Sequence, residues 1–320
     1  MNLDVVCAGS AGFDIFISGR ELKPSQFIRD NELVMRNDSI YNVDHTVYEV
    51  GGSGINSAIT FARQGIKTGC IAKTGKDNLA NQIKITAKHE EVEHELLINS
   101  PEHHTDMNIH IVTERSHAIS LVYKNSIKSL RVKEIKFPDL STRLLYLSEL
   151  PSDFKIFKFF ENWARRGGAQ LVLNIQDAKQ YKRHHFNFVL ASVDRIMMPI
   201  SFAIKLFDGV TDPQEILRQL NALGAKSILL YDINNEAYAY EDSTVYSCGR
   251  YKNINPLDST GAEDAFAASY MASVFQQKTI PECLTIASAN ACSVMGAFGA
   301  RAGILKKPAL RTIKVKIGVL

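Results

Sequence analysis

The sequence has no long hydrophobic run. Nowhere in its 320 residues do apolar side chains approach the roughly 18 consecutive positions that a membrane span requires, so no membrane partner is expected. The start, MNLDVVCAGS, carries an acid at Asp4 and no basic region ahead of an apolar one, and does not read as a secretory signal. No C-x-x-C pair occurs. The five cysteines, Cys7, Cys70, Cys248, Cys283 and Cys292, are odd in number and scattered, which argues against a disulfide framework or a zinc site. Buried thiols in a reducing cytoplasm are expected instead. Charge of one sign is nearly absent in excess: 37 Lys and Arg against 34 Asp and Glu leave +3, too little to imply a nucleic-acid partner. There is no internal repeat, no low-complexity tract and no obvious interdomain linker.

What is present describes a globular chain, 45% hydrophobic and 22% charged. Its length admits one or two domains and allows burial of roughly three quarters of the unfolded surface. Residues 3–8 read as a buried strand running into Gly9-Ser10-Ala11-Gly12. Residues 20–45 are polar, with short β-like pieces at Phe27-Ile28 and Thr46-Val47-Tyr48. After Gly51-Gly52 the spacing turns helical, with Ile55, Ala58, Ile59 and Ala62 on one face and Gly65 closing. A strand at 67–72 and a helix at 78–89 follow. Residues 106–112 and 117–123 alternate about Thr-Glu-Arg-Ser and predict a hairpin.

Beyond it come strand 143–147, helix 153–165, strand 169–174, helix 183–190, strand 193–197, helix 212–222 and strand 225–230. Such alternation predicts a mostly parallel sheet with helices on both faces. A late hairpin at 238–246 and helices at 261–276 and 281–297 complete the core. The basic tail, with Lys306, Lys307, Arg311, Lys314 and Lys316, reads as charge protecting an edge strand, IKVKIGVL.

Several familiar motifs fail on inspection. Five residues separate Gly69 from Gly75 and Asp77 stands where a P-loop needs Ser or Thr. Gly52-Ser53-Gly54 would need a glycine at Ser57 for a dinucleotide fingerprint, and one at Ile55 for a nucleophile elbow. His103-His104 and His184-His185 lack the helical spacing of a zinc site.

Two segments carry chemistry. Gly51-Gly52-Ser53-Gly54-Ile55-Asn56-Ser57-Ala58 is a glycine-rich helix entry where backbone N–H groups can approach a polar ligand. Leu257-Asp258-Ser259-Thr260-Gly261-Ala262-Glu263-Asp264 leads small residues into a helix, a ready phosphate site with Asp264 in the first turn. Taken singly, each also reads as an ordinary helix start. Together, in this order and about 205 residues apart, they resemble the two signatures of the ribokinase-like (PfkB) carbohydrate kinase family, G-G-x-x-x-N-x-A and D-T-x-G-A-G-D-x-F. Ala72-Lys73-Thr74-Gly75-Lys76-Asp77 and Gly299-Ala300-Arg301-Ala302-Gly303 resemble further segments of that family.

The resemblance implies one ribokinase-like α/β domain over residues 1–320, with a small inserted β lid from about 14–50 and 105–125. It implies Asp264 as the base that takes a proton from a sugar or nucleoside hydroxyl, using ATP and Mg²⁺. It implies an anion hole at Gly261, Ala262 and Glu263, and acceptor contacts from Asp14, Gly51, Gly52, Asn56 and Glu149. Asn290 and Gly299 would contact the nucleotide, and Asp258 and Thr260 would help bind a monovalent cation such as K⁺. Asn108, His110, Arg115 and Tyr123 are lid residues that could face the acceptor, and the lid could also form a homodimer contact.

Three departures fall on the nucleotide side. Glu263 replaces a glycine inside the anion hole, where a carboxylate about 6 Å from a phosphate charge costs about 3 kcal/mol at an effective dielectric near 20. Ile200-Ser201-Phe202-Ala203 replaces the N-x-x-E that organises magnesium, and Tyr231-Asp232-Ile233-Asn234-Asn235 replaces the phosphate-contacting T-x-G-x-x-G. Two readings follow: an active, divergent kinase, or a non-catalytic relative that keeps the ligand pocket to sense a ligand or bind a partner.

Overall fold

The computed structural model describes residues 1–22, 28–29, 32–33, 35–112, 118–137, 139–176, 183–249, 256–306 and 315–319. Phe27, Arg115, the rest of the expected hairpin turn and most of the basic tail lie outside them.

The chain begins with β1 (Asn2–Ala8) and β2 (Gly12–Ser18). The short β3 (Ile28–Arg29) and β4 (Glu32–Leu33) pair with each other before β5 (His45–Gly51). Helix α1 (Ser53–Arg63), β6 (Thr68–Gly75), α2 (Asn78–His89) and β7 (Leu97–Ser100) follow. Strands β8 (Asp106–Val112) and β9 (Ala118–Tyr123) form the expected antiparallel pair.

From β10 (Ser141–Ser148) the alternation is regular: α3 (Phe154–Gly167), β11 (Gln170–Asn174), α4 (Arg183–Ser192), β12 (Arg195–Pro199), α5 (Ile200–Leu206), α6 (Pro213–Ala222) and β13 (Ile228–Tyr231). A hairpin of β14 (Glu236–Glu241) and β15 (Thr244–Gly249) precedes α7 (Ala262–Phe275), α8 (Ile280–Met295) and β16 (Val315–Val319).

The main sheet has ten strands in the order β16-β15-β14-β13-β12-β11-β10-β1-β6-β7. The pairings from β7 through β13 are parallel, and those of β14, β15 and β16 antiparallel. Strand alternation explains why both faces are covered. Val5, Cys7, Leu144 and Tyr146 pack into the core under α1, α7 and α8, whereas Val6, Ala8, Leu145 and Leu147 pack into the core with α3, α5 and α6. Helix α7 is apolar all round, as suits a helix buried between α1 and α8. All five cysteines are free and buried, and burial pushes the Cys70 thiol up to about 12. No helix among the described residues is long and apolar enough to cross a membrane.

A second sheet, β5-β2-β8-β9, takes its strands from the two segments assigned to the lid. Its register fixes two unlike faces. Tyr48, Ile15, Ile109 and Leu121 lie in one cross-strand row, with Val50, Phe13, Met107 and Tyr123 in another on the same face. Asp14, Asn108 and His110 project from the opposite face.

Candidate active site

The polar residues gather where β1, β10, β11, β12 and β13 end, the carboxyl edge at which open parallel sheets place their ligands. The turn after β1 meets the start of α1 at very close range. A Cβ on Gly54 would lie 2.7 Å from the Gly9 carbonyl carbon, and Gly52 adopts φ +106°. Ser10 sits between them: its oxygen accepts from the Ser53 N–H at 2.9 Å, and its hydroxyl donates to the Glu149 carboxylate. Glu149 follows β10 in a left-handed conformation, φ +45°, and also pairs with Lys124, which follows β9.

Asp14 is buried on β2, accepting from Asn108 Nδ2 at 2.7 Å with His110 Nε2 at 3.4 Å. Gly51 makes room for it, since a Cβ there would stand 1.9 Å from Asp14 Oδ2. The two expected glycines therefore allow close packing, Gly51 against Asp14 and Gly52 against Ser10. Asn56, buried in the first turn of α1, donates from Nδ2 to Asp264 Oδ2 at 3.0 Å. Asn56 Oδ1 and Asn108 Oδ1 are buried with no hydrogen-bond donor among the described residues.

Asp264 is only 6% exposed, and its second oxygen accepts from Gln176 Nε2 at 2.7 Å. Burial pushes its carboxyl above the ordinary value, while the bonds from Asn56 and Gln176 and the charge of Lys124 oppose that rise. The result is a desolvated carboxylate oriented by two amides from different elements. Lys124 is itself pushed down by burial, against the pull of Asp106, Asp264 and Asp14. Gln176 and Lys124 carry no motif.

Gln176 borders two cavities. One, of about 500 Å³, is lined by Pro199, Ser201, Tyr231, Asp232, Ser259, Gly261, Glu263 and Asp264 among others. The other, of about 870 Å³, runs along Lys124, Lys128, Arg131, Glu149 and Ser152. The first is the nucleotide side of the sequence reading, and several residues there do something other than expected. Of the anion-hole amides, that of Ala262 already donates to Ser259 O at 3.1 Å, which leaves those of Gly261, Glu263 and Asp264 at the helix start. Glu263 is pushed up to about 7 by burial and by the charges of Asp264 and Asp232.

Asp258 and Thr260 hold each other rather than offering free oxygens: Asp258 Oδ1 accepts from the Thr260 N–H at 3.0 Å and its hydroxyl at 2.8 Å. Asp258 Oδ2 accepts from the Gly299 N–H at 3.1 Å, so the pair anchors the loop at 299. The donor set does not fit a monovalent cation. Asn290 is fully buried, its Nδ2 donating to Ser269 and its Oδ1 accepting from the Leu305 N–H at 2.8 Å. It anchors the chain beyond the pocket and presents no free atom to a nucleotide.

Ala203 is a core residue of α5 and Ile200 packs against the same core, so neither end of the N-x-x-E position offers a metal ligand. Asp232 closes its own turn, accepting from the Asn234 N–H at 2.9 Å and from Asn235 Nδ2 at 2.7 Å. Among the described residues no three His, Cys, Asp or Glu side chains form a metal cluster.

A doubly covered α/β sheet, a four-stranded lid and a desolvated aspartate at a helix start, bonded to the glutamine that two cavities share, define the ribokinase-like class of kinase fold. The chain belongs to the PfkB family: the family described as pfkB family carbohydrate kinase matches residues 22–307. A curated relative, 5-dehydro-2-deoxygluconokinase of Geobacillus kaustophilus, is 22% identical over 278 residues, covering 77% of this chain and 78% of the relative.

The fold is also that of solved kinases. The nucleoside kinase of Methanocaldococcus jannaschii superposes with a TM-score of 0.75 at 15% identity, covering 94% of each chain. The ribokinase of Arabidopsis thaliana, solved with ribose and ATP, gives 0.74 at 16% identity over 95% of this chain and 96% of its own.

Proposed function

We propose that the chain is an ATP-dependent kinase that phosphorylates a hydroxyl of a sugar or nucleoside, with Asp264 as the base. The observation that carries this reading is the buried Asp264 carboxylate, held by Asn56 and Gln176 where the two cavities meet. The acceptor hydroxyl gives its proton to Asp264 as its oxygen forms a bond to the γ-phosphorus, and the bond to the departing ADP oxygen breaks. Amides at the start of α7 stabilise the charge that develops on the transferring group.

On the acceptor side, Asn56 Oδ1 and Asn108 Oδ1 lack donors, which a polyhydroxyl ligand supplies. Asp14 and Glu149 add carboxylate acceptors for further hydroxyls. Magnesium would neutralise phosphate charge when bound with the nucleotide. Asp232 is committed to its own turn and the described residues form no metal cluster, so no side chain is assigned to hold it.

A second reading, a non-catalytic relative that binds an acceptor-like ligand or a partner, is favoured by one observation. Among the described residues the nucleotide cavity is lined by three carboxylates, Asp232, Glu263 and Asp264, and by no lysine or arginine. ADP release from Mg·ATP across a panel of sugars and nucleosides separates the two. Acceptor-dependent ADP that disappears in Asp264→Asn supports the kinase, and acceptor binding with no ADP from the wild type supports the second reading.

The apolar lid face, with Tyr48 60% and Leu121 55% exposed, suits a homodimer contact between two lids. Sedimentation of wild type against Leu121→Lys tests it, with a shift to monomer expected. Five buried free thiols fit a cytoplasmic location.

A further inference from the structure

The larger cavity has a chemical polarity that a neutral sugar does not require. One wall is the segment after β9, where Lys124, Lys128 and Arg131 all line the same space. Their spacing of four and then three residues, across a 3₁₀ turn at Ile127–Ser129, brings all three to one side of the chain. The facing wall holds Glu149, Leu150, Pro151, Ser152 and Asp153.

The acids do not cancel the bases evenly along the cavity. Glu149 is paired with Lys124. The Asp153 carboxylate caps α3, accepting from the Lys155 N–H at 3.0 Å. Among the described residues, Lys128 and the Arg131 guanidinium have no carboxylate partner. The guanidinium donates to the carbonyls of Lys128 and Leu130, at 3.2 and 3.0 Å, while the Arg131 backbone N–H donates to Glu134 Oε2 at 2.8 Å. Glu134, the nearest acid in sequence, is committed to Lys73 at 2.8 Å. Three cations, Lys124, Lys128 and Arg131, thus meet two acids, Glu149 and Asp153, among the described lining residues. With Glu149 on Lys124, the surplus positive charge lies with Lys128 and Arg131, in a lining that also holds the neutral hydroxyl of Ser152.

We propose that the acceptor carries an anionic group, a carboxylate or a phosphate monoester, bound by Lys128 and Arg131 while its reacting hydroxyl lies at Gln176 and Asp264. This assignment rests on the kinase reading of the site and names its substrate class. Arg131 suits the task because its planar fork matches two oxygens of either anion. Lys124, neutralised by Glu149, leaves the reacting end of the same cavity free for hydroxyl contacts.

The test is calorimetric titration of the full chain, without nucleotide, using five- and six-carbon aldonates, the matching aldose phosphates and the parent neutral aldoses. At least one anionic member is expected to bind about tenfold or more tightly than its neutral parent, as charge-assisted hydrogen bonds provide. That preference should shrink as salt is raised. It should fall about tenfold in a Lys128→Gln/Arg131→Gln double variant, while affinity for the neutral aldose stays the same. Both side chains are exposed, and an unchanged melting temperature confirms that the variant folds.

Tighter binding of aldonates identifies a carboxylate, and tighter binding of aldose phosphates a phosphate. Equal or weaker binding of every anionic member, or a double variant that retains the preference, overturns the proposal. Phosphoryl transfer is scored separately on the same panel. Turnover of neutral acceptors without anion preference leaves the kinase reading intact and removes this one. Anion-selective binding without turnover does the reverse.

Discussion

Two cavities meet at Gln176, and they carry opposite charge. Among the described residues, the acceptor cavity has Lys124, Lys128 and Arg131 on its wall, whereas the nucleotide cavity has Asp232, Glu263 and Asp264 and no basic side chain. The manner of support differs as well. Asp14, Asn56, Glu149 and Asp264 are held by partners on other elements, up to 208 positions away in sequence. Asp232 is held within its own turn, and among the described residues nothing offsets the burial of Glu263. Long-range bonds of the first kind fix a side chain against the whole fold, as a site for small hydroxyl donors needs. On the nucleotide side the backbone supplies the positive end of α7, and the side chains work against it.

The largest effect expected from that contrast is at the junction. Asp264→Asn removes a proton acceptor held by two positioning amides, and acceptor-dependent ADP formation should fall by about 10³-fold, within the usual range for a general base. Acceptor binding, read by calorimetry, should change far less. Next comes Glu263→Gly, which deletes the carboxylate beside the helix start and restores the glycine of the family signature. Nucleotide affinity should rise by roughly hundredfold, the equivalent of about 3 kcal/mol of relieved repulsion. If affinity stays unchanged, the Glu263 side chain does not face the phosphates. Gln176→Ala sharpens the comparison from the acceptor side. Losing one charge-assisted bond should lower turnover roughly tenfold and, because that bond holds the Asp264 carboxyl down, move the acid limb of the pH profile upward.

How far the sequence reached depends on the kind of interaction. Regular strand and helix alternation from residue 141 onward was legible because both faces of a parallel sheet are covered and the apolar runs are continuous. Helix α5 was not. Ile200-Ser201-Phe202-Ala203 is a short apolar run, and such runs do not separate helix from strand by periodicity. In the site, the placement of Asp14, Asn56 and Asp264 followed from motif resemblance, and the structure brings Asn56 onto Asp264.

Motifs give residue types, not partners. Asp258, Thr260 and Asn290 sit at the expected places, yet their polar atoms are taken by Gly299, Ser269, Leu305 and one another. Gln176 and Lys124 could not be singled out, because each is one polar residue at the end of a strand whose position depends on distant pairing.

The smallest effect, and the most specific to the nucleotide side, is its dependence on pH. Glu263 is held at about 7 in the folded chain against an ordinary value of 4.5, because burial and the neighbouring acids disfavour its charged form. A carboxyl raised by folding binds its proton more tightly in the native state than in the unfolded one. Its contribution to stability is therefore fully present below about 4.5 and is lost as pH climbs through about 7. ATP meets the same group: above pH 7 it faces a carboxylate, and below it a neutral acid. Nucleotide affinity should accordingly strengthen severalfold between pH 8 and pH 6 in the wild type. In Glu263→Gln that slope should flatten, and the melting temperature at pH 8 should rise by a few degrees over the wild type, with little difference at pH 5. Calorimetric titration and thermal melts at those pH values check both. A slope that persists in Glu263→Gln would place the titrating group elsewhere among Asp232, Asp264 and the phosphates themselves.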